Sequence, residues 1–275
     1  MTMKSKRTHM KSQKELHLNR DILAMVTGPA HTVAQLLIKD EEIKHLQDYA
    51  NVVSIKRLGY NDHGPVHMRK VAIIALTMAD LLRKARISLS LEQEGIGTYE
   101  DSIAAILLAS FLHDIGMTIG RDGHEKNTAM LAMPILTRIL AEVYPDNPAK
   151  RIIVRSLALE SMLGHMATQK IHSIEAGIVV IADGCDMEQG RARISMLIAT
   201  ESRVGDIHKY SASAIEKVSI GQGDKKPIRI TVVMNDSVGF FQIEEVLFTK
   251  INSSTIKPHI ELYAGIAGSS MKCYL

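Results

Sequence analysis

Residues 101–117 read DSIAAILLASFLHDIGM, in which an almost wholly apolar run ends in His113 and Asp114. A run of this length and composition predicts a core helix. An ionised carboxylate beside such a core is unfavourable unless it is paired, hydrogen-bonded or bound to a metal. The stretch therefore favours a mainly α fold with a polar site in its interior. A simple helix end, with Gly116 as the stop signal, is the alternative when this stretch is taken alone.

The composition is that of a globular protein. The chain has 275 residues, of which 46% are hydrophobic and 23% charged, enough for one large domain or two unequal ones. The net charge of +3 is mildly basic, and much of the excess lies in the first twenty residues. We expect a solvated arm there, with a nucleic-acid-binding arm as the alternative.

The sequence indicates a cytoplasmic protein without a membrane partner. It shows no secretory signal and no uninterrupted apolar segment long enough to span a bilayer. Cys185 and Cys273 have neither a CxxC nor a disulfide-framework spacing, which fits a reducing compartment. We do not expect cysteine to bind a metal.

From Val33 to about Glu201 the apolar residues recur at helical spacing. The predicted helices are 33–50, 65–86, 101–115, 124–142, 148–167 and 173–188. Pro65 suits a first helical turn, because its missing N–H would have no partner there. Pro134 lies inside a periodic stretch, so it predicts a kink or a split in that helix.

The last seventy residues predict a small α+β unit. SAIEKVSIG and KPIRITVVM alternate apolar and polar residues around a GQGDKKP turn, which indicates a β-hairpin. A short amphipathic helix and a returning strand, PHIELYAGI, follow and give the order ββαβ. The expected organisation is a basic arm or leading helix at 1–32, a helical bundle at 33–205 and the α+β unit at 206–275.

Further polar residues interrupt the other apolar helices. The candidates are His67, His124, His165 and Asp183, and together with His113-Asp114 they give the order H…HD…H…H…D. Taken singly, each histidine is explained as a satisfied core residue or a helix end, whereas Asp183 follows the apolar run IVVIA and is harder to explain in this way. A single carboxylate can bridge two cations through its two oxygens, whereas an imidazole offers one lone pair to a metal.

This order resembles the HD superfamily of metal-dependent phosphohydrolases. The similarity covers about residues 55 to 200 and rests on HD, on VHMRKVA around His67 and on VVIADGCDM around Asp183. It implies an HD-type helical bundle whose ligands to a first metal ion are His67, His113, Asp114 and Asp183. It implies that Asp114 bridges to a second ion, which His124 and His165 complete.

The number of ions is left open by the short spacing between His113 and His124. If His124 lies too far from the others, the site is mononuclear and His124 contacts the substrate phosphate. A mixed nitrogen and oxygen ligand set without thiolate favours one or two divalent ions of Mn, Fe, Co, Ni or Zn over Mg or Ca. The sequence does not choose among these metals.

Phosphate requires cationic partners, and several follow the candidate ligands. Arg121 and Lys126 flank His124 and are the first candidates for substrate binding; Arg191, Arg193, Arg69 and Lys70 come next. His63, Asp186 and Asp62 are candidates for orienting metal ligands or relaying a proton. With Asp114, we expect His63 and Asp186 to form the catalytic group.

The predicted function is hydrolysis of a phosphoester by a metal-activated hydroxide. The expected substrate is a nucleotide or another small phosphorylated metabolite. The alternatives are a nucleotide-sensing module without turnover and a diiron oxygenase on the HD scaffold. The C-terminal unit is somewhat basic, but its aromatic residues are too few and too scattered for a base-stacking platform, so nucleic acid is not an expected partner. For the C-terminal unit the alternatives are dimerisation, which would make a homodimer, shaping of the substrate site, or regulatory ligand binding of the ACT type.

Overall fold

The computed structural model describes residues 12–188 and 206–275. Nine α-helices occupy the first range. They are α1 (Gln13–Met25), α2 (Gly28–Lys39), α3 (Glu41–Val52), α4 (Pro65–Lys84), α5 (Ser90–Gln93), α6 (Tyr99–Leu112), α7 (His124–Val143), α8 (Pro148–Gly164) and α9 (Ile174–Cys185). A π-helical turn, Val53–Arg57, extends α3, and a 3₁₀ turn, Ile115–Thr118, follows α6. The prediction of a mainly α fold is confirmed.

The second range forms the α+β unit. It begins with α10 (Asp206–Ser213) and contains strands β1 (Ile215–Gln222), β2 (Ile228–Met234), β3 (Ile260–Ile266) and β4 (Lys272–Cys273). A π-helical segment, Gln242–Leu247, continues into α11 (Phe248–Ser253) between β2 and β3. The sheet order is β1-β2-β3-β4, with β2 and β3 parallel and the other two pairs antiparallel. The ββαβ prediction is confirmed, and β4 is an addition to it.

One local prediction was wrong, and in each of two others the structure excludes one of the alternatives. The helix predicted at 33–50 is two helices, because the Asp40 carboxylate accepts a hydrogen bond from Ile43 N and starts α3. Pro134 was predicted to kink or split its helix, and α7 continues through it without a split. Of the two alternatives predicted for the N-terminal segment, an arm or a leading helix, residues 13–25 form the helix. Ser12 and Glu15 make a capping box at its start, and Ile22 is fully buried. Residues 1–11 lie outside the described part of the chain.

Helix α6 is the centre of the bundle. Every residue from Asp101 to Leu112 is buried, and the helix packs against α2, α4, α8 and α9. In the described ranges, Tyr99–Thr118 is the one helical segment that is long and apolar enough to cross a membrane, but 94% of the tested window is buried inside the fold. Its apolar surface is therefore part of the protein core.

One continuous set of buried apolar residues links the bundle to the sheet. It includes Leu108 of α6, Val180 of α9, Ile230 of β2 and Ile251 of α11. The contacts of α4 with β1 and of α9 with α11 carry this continuity. The α+β unit is thus packed directly on the two helices that bear the first and last candidate ligands.

Candidate metal centre

The HD pair lies where the central helix ends. His113 is the last residue of helical conformation after α6, and Asp114 starts the 3₁₀ turn. Gly116 allows this turn to contact the start of α7, because a Cβ at this position would lie 2.0 Å from the carbonyl oxygen of His124. The Thr128 hydroxyl fixes the same junction by donating to His113 O at 2.8 Å and accepting from Gly116 N at 2.9 Å. This close packing explains how a short loop brings His124 to the HD pair.

One oxygen of Asp114 faces the first group of ligands. Asp114 Oδ2 lies 3.3 Å from His67 Nε2 and 3.3 Å from His113 Nε2. Asp183 Oδ1 is 3.2 Å from His67 Nε2 and 3.7 Å from His113 Nε2. His67, His113 and Asp183 are all buried and form a set whose ligand atoms could hold one metal ion.

The other oxygen of Asp114 faces the second group. Asp114 Oδ1 lies 3.2 Å from His124 Nε2 and 3.5 Å from His165 Nε2. The two imidazole nitrogens are 3.0 Å apart, and Asp114, His124 and His165 form a second buried set that could hold a metal ion. His124 therefore lies with the other ligands instead of outside them.

All four histidines direct Nε2 to the centre because Nδ1 is bound elsewhere. His113 Nδ1 donates to Ser110 O, His124 Nδ1 to Arg121 O and His165 Nδ1 to Met162 O. A carbonyl oxygen only accepts, so the proton in each neutral ring is on Nδ1 and the Nε2 lone pair faces inward. Lone pairs and carboxylates that face one another within 4 Å need a proton or a metal cation between them. Burial opposes protonation of His113, yet Asp114 and Asp183 raise its pKa. A bound metal ion would take the place of that proton, so the donor set fits bound metal.

The acid groups stay charged despite their burial. Burial opposes ionisation of Asp114, yet His113 and His63 hold its pKa well below the usual range. Burial likewise opposes ionisation of Asp183, yet Lys250 and His113 hold its pKa well below that range. Burial lowers the pKa of His165 to about 4, so its ring is neutral at physiological pH. Ionised carboxylates and neutral imidazoles are the forms that bind metals.

Asp186 supports the centre from behind His67. Its Oδ2 accepts a hydrogen bond from His67 Nδ1 at 2.8 Å, and its Oδ1 accepts one from Lys70 Nζ at 2.9 Å. Lys70 also binds Glu188, so this lysine is a support for Asp186. These contacts place Asp186 where it can orient His67, which is one of the two functions predicted for it.

His63 lies at the edge of the first group. Its ring centroid is 5.9 Å from that of His67. Its Nδ1 is 2.8 Å from Ser54 Oγ and 2.7 Å from Asn61 O. Because the Asn61 carbonyl accepts only, the Nδ1 proton points to it and the Nε2 atom carries the lone pair. The Asp62 carboxylate caps the same turn by accepting from Gly64 N.

The predicted phosphate-binding cations fall into different environments. Arg121 is half-buried and contacts Tyr60 and Met166, the residue that follows His165 in the chain. Lys126 is exposed in the first turn of α7. Arg191 and Arg193 lie outside the described residues. The prediction for Arg69 was wrong, because Asn19, Gln47 and the Pro65 carbonyl bind its guanidinium. Arg69 is 2% exposed and serves the packing of α1 and α3 on α4.

Lys250 is the residue that sequence reasoning missed. It belongs to α11 in the C-terminal unit, and its ammonium group forms an ion pair with Asp183 Oδ2. It also donates to the backbone oxygen of His165 at 2.9 Å. A lysine in an amphipathic segment normally lies in solvent, so no local pattern marks it.

Comparison with known proteins agrees with this geometry. The HD domain family model matches residues 66–188. The chain belongs to the HD-domain superfamily. An uncharacterized protein of Methanocaldococcus jannaschii is 38% identical over 230 residues, which cover 84% of this chain and 86% of that protein. No solved structure matches the chain.

The HD match contains the complete ligand order. It starts one residue before His67 and ends two residues after Asp186, and it leaves Lys250 outside. HD domains bind divalent metals, and membership indicates a metal-dependent, hydrolase-type function. The predicted family is therefore confirmed.

Proposed function

We propose that this HD protein is a phosphohydrolase that cleaves a phosphoester of a nucleotide or another small phosphorylated metabolite with two divalent transition-metal ions. The observation that carries the proposal is that the two carboxylate oxygens of Asp114 face different ligand groups. One of its oxygens faces His67 and His113 at 3.3 Å, and the other faces His124 at 3.2 Å and His165 at 3.5 Å. A bridging carboxylate between two nitrogen-rich sets is the arrangement that a dinuclear hydrolytic centre requires.

The ions would activate water and neutralise phosphate charge when bound. The protein residues contribute orientation and proton transfer. Asp186 fixes the His67 ring through Nδ1, and the backbone carbonyls of Ser110, Arg121 and Met162 fix the other three rings. We assign to His63 the delivery of a proton to the leaving oxygen, because its ring packs near that of His67. Its Nε2 lone pair would first accept a proton from the attacking water, and the resulting imidazolium would then donate that proton to the leaving oxygen.

We assign substrate binding to cations beside the second ligand group. Arg121 lies in the loop before His124, its carbonyl accepts from His124 Nδ1, and its guanidinium contacts Met166, the residue after His165. A planar guanidinium suits phosphate oxygens. Lys126, Arg191 and Arg193 remain candidates for the rest of the substrate. We expect neither a membrane nor nucleic acid as a partner, and a cytoplasmic location.

The test is hydrolysis of chromogenic phosphomonoesters and phosphodiesters by protein loaded with Mn²⁺, Co²⁺ or Ni²⁺. Asp114→Ala should reduce the rate by at least about a thousandfold, because both ligand groups lose their shared oxygen donor. Asp146→Ala is the matched control, since Asp146 is exposed in the α7–α8 loop. Equal rates for wild type and Asp114→Ala would contradict the proposal.

Elemental analysis of the purified protein measures the number and identity of the bound metal ions before any substrate is tested. We expect two ions per chain in wild type and a deficit in Asp114→Ala. Tight nucleotide binding without turnover across several metals would favour a sensor instead. A mixed-valence iron signal would favour an oxygenase.

A further inference from the structure

Lys250 connects the C-terminal unit to both ligand groups. Its ammonium group pairs with Oδ2 of Asp183 and donates to the carbonyl of His165 at 2.9 Å. The other oxygen of Asp183 faces His67 Nε2 at 3.2 Å. Oδ1 of Asp183 thus faces the metal centre, and Oδ2 faces Lys250.

The position of Lys250 is fixed by the packing of α11 on α9. Just beyond α11, the Ser254 hydroxyl donates to the carbonyl of Gly177 at 2.8 Å, and the Thr255 hydroxyl donates to that of Ser173 at 2.8 Å. Lys250 itself is 8% exposed, far less than an ordinary surface lysine. Its side chain is therefore held between α9 and the end of α8.

We propose that Lys250 is a positioning residue for Asp183. Through this lysine, the C-terminal unit contributes to metal binding at the HD centre. The inference rests on the proposed function, because it takes Asp183 as a metal ligand. It goes beyond the HD match, which ends before the C-terminal unit begins.

The physical argument concerns the second oxygen of Asp183. Without Lys250, this buried oxygen loses its hydrogen-bond partner, so the carboxylate would turn toward another donor. Oδ1 would then no longer be held toward His67 and would become a poorer ligand. Loss of a residue that orients a metal ligand typically weakens metal binding about ten- to a hundredfold.

The first experiment compares Lys250→Met with Lys272→Met in the full-length protein by Co²⁺ titration. Methionine retains the length and packing of the lysine stem but removes its charge. Lys272 is an exposed lysine of the same unit. We expect about ten- to a hundredfold weaker Co²⁺ binding and an altered visible absorption spectrum for Lys250→Met, and wild-type behaviour for Lys272→Met. Unchanged or tighter binding by Lys250→Met would overturn the inference, since tighter binding would mean that the lysine only competes with the ion for Asp183.

A double-mutant cycle tests whether Lys250 acts through Asp183. In an Asp183→Asn background, Lys250→Met should weaken Co²⁺ binding by less than about twofold, because the group that the lysine orients is already changed. An additional tenfold loss would indicate general disruption and would overturn the inference. The double variant can still be compared with Asp183→Asn if Lys250→Met alone does not fold, because the double variant contains no unpaired carboxylate at position 183. If the wild type binds no Co²⁺, the proposed function itself fails.

Discussion

His67 Nδ1 lies 2.8 Å from Oδ2 of Asp186, although 119 residues separate them in the chain. Both residues are buried, and the second oxygen of Asp186 is held by Lys70 at 2.9 Å. The hydrogen bond leaves Nε2 of His67 directed at Asp114 and Asp183. The first helix of the ligand set and the end of the last one are therefore joined at the metal centre.

Asp186→Ala should weaken metal binding about ten- to a hundredfold, because the His67 ring loses the partner that fixes its orientation. Asp186→Asn should lie between Ala and wild type, since its amide oxygen still accepts from Nδ1 but carries no charge. Titration with Mn²⁺ or Co²⁺ gives both values. Wild-type affinity in Asp186→Ala would show that the orientation of His67 is fixed without Asp186.

His124→Gln should remove one ion per chain and leave the other. His124 and His165 share Oδ1 of Asp114, whereas His67, His113 and Asp183 form a separate set. Elemental analysis after dialysis measures the ratio. His172→Gln is the control, because His172 is exposed. Two retained ions in His124→Gln would contradict the assignment of His124 as a ligand.

Arg69→Met should lower the free energy of unfolding by about 3 kcal/mol, because it leaves buried partners of the guanidinium without a donor. These partners are Asn19, Gln47 and the carbonyl of Pro65. Urea unfolding measures the loss. Metal affinity and the KM of the folded protein should stay within about twofold of wild type. A large rise in KM alone would restore Arg69 as a substrate-binding residue.

Asp101, at the start of α6, should make the free energy of unfolding fall at acidic pH. Lys150 Nζ and Thr98 N bind its Oδ2 at 2.9 Å, and Tyr144 donates to its Oδ1 at 2.8 Å. Burial opposes ionisation, yet Lys150 and Thr98 lower the pKa of Asp101 below 3.8. Because the folded pKa lies below the unfolded one, this stabilisation is complete above the unfolded pKa and is lost as pH falls through the folded pKa.

Asp101→Asn should therefore be less stable than wild type by about 2 kcal/mol at pH 7, through loss of the charged hydrogen bond to Lys150. The difference should narrow as the pH falls below 3.8. Urea unfolding across pH 3 to 7 checks both statements. A difference that does not change with pH would mean that packing, and not the charge, accounts for the loss.

The ligand order could be predicted from the sequence because its members are polar residues in otherwise apolar helices. Asp114 and Asp183 end runs that are buried in the fold, and a charged group in such a run demands a partner. The helices that carry the ligands were predicted for the same reason, since their periodicity reflects burial on one or all faces. The interruption at Asp40, outside the helices that carry the ligands, was missed because a side-chain cap divides one periodic stretch.

The sequence by itself determined the helical bundle, the small α+β unit and the residues of the HD centre, because each leaves a local trace in hydropathy or spacing. The tertiary structure alone decided that His124 lies with the other ligands, that Arg69 is internal and that Lys250 reaches Asp183. These facts depend on packing between segments far apart in the chain; 67 residues separate Lys250 from Asp183. A lysine or arginine has the same local pattern in solvent as in the core, so only the neighbours that folding brings to it determine its function.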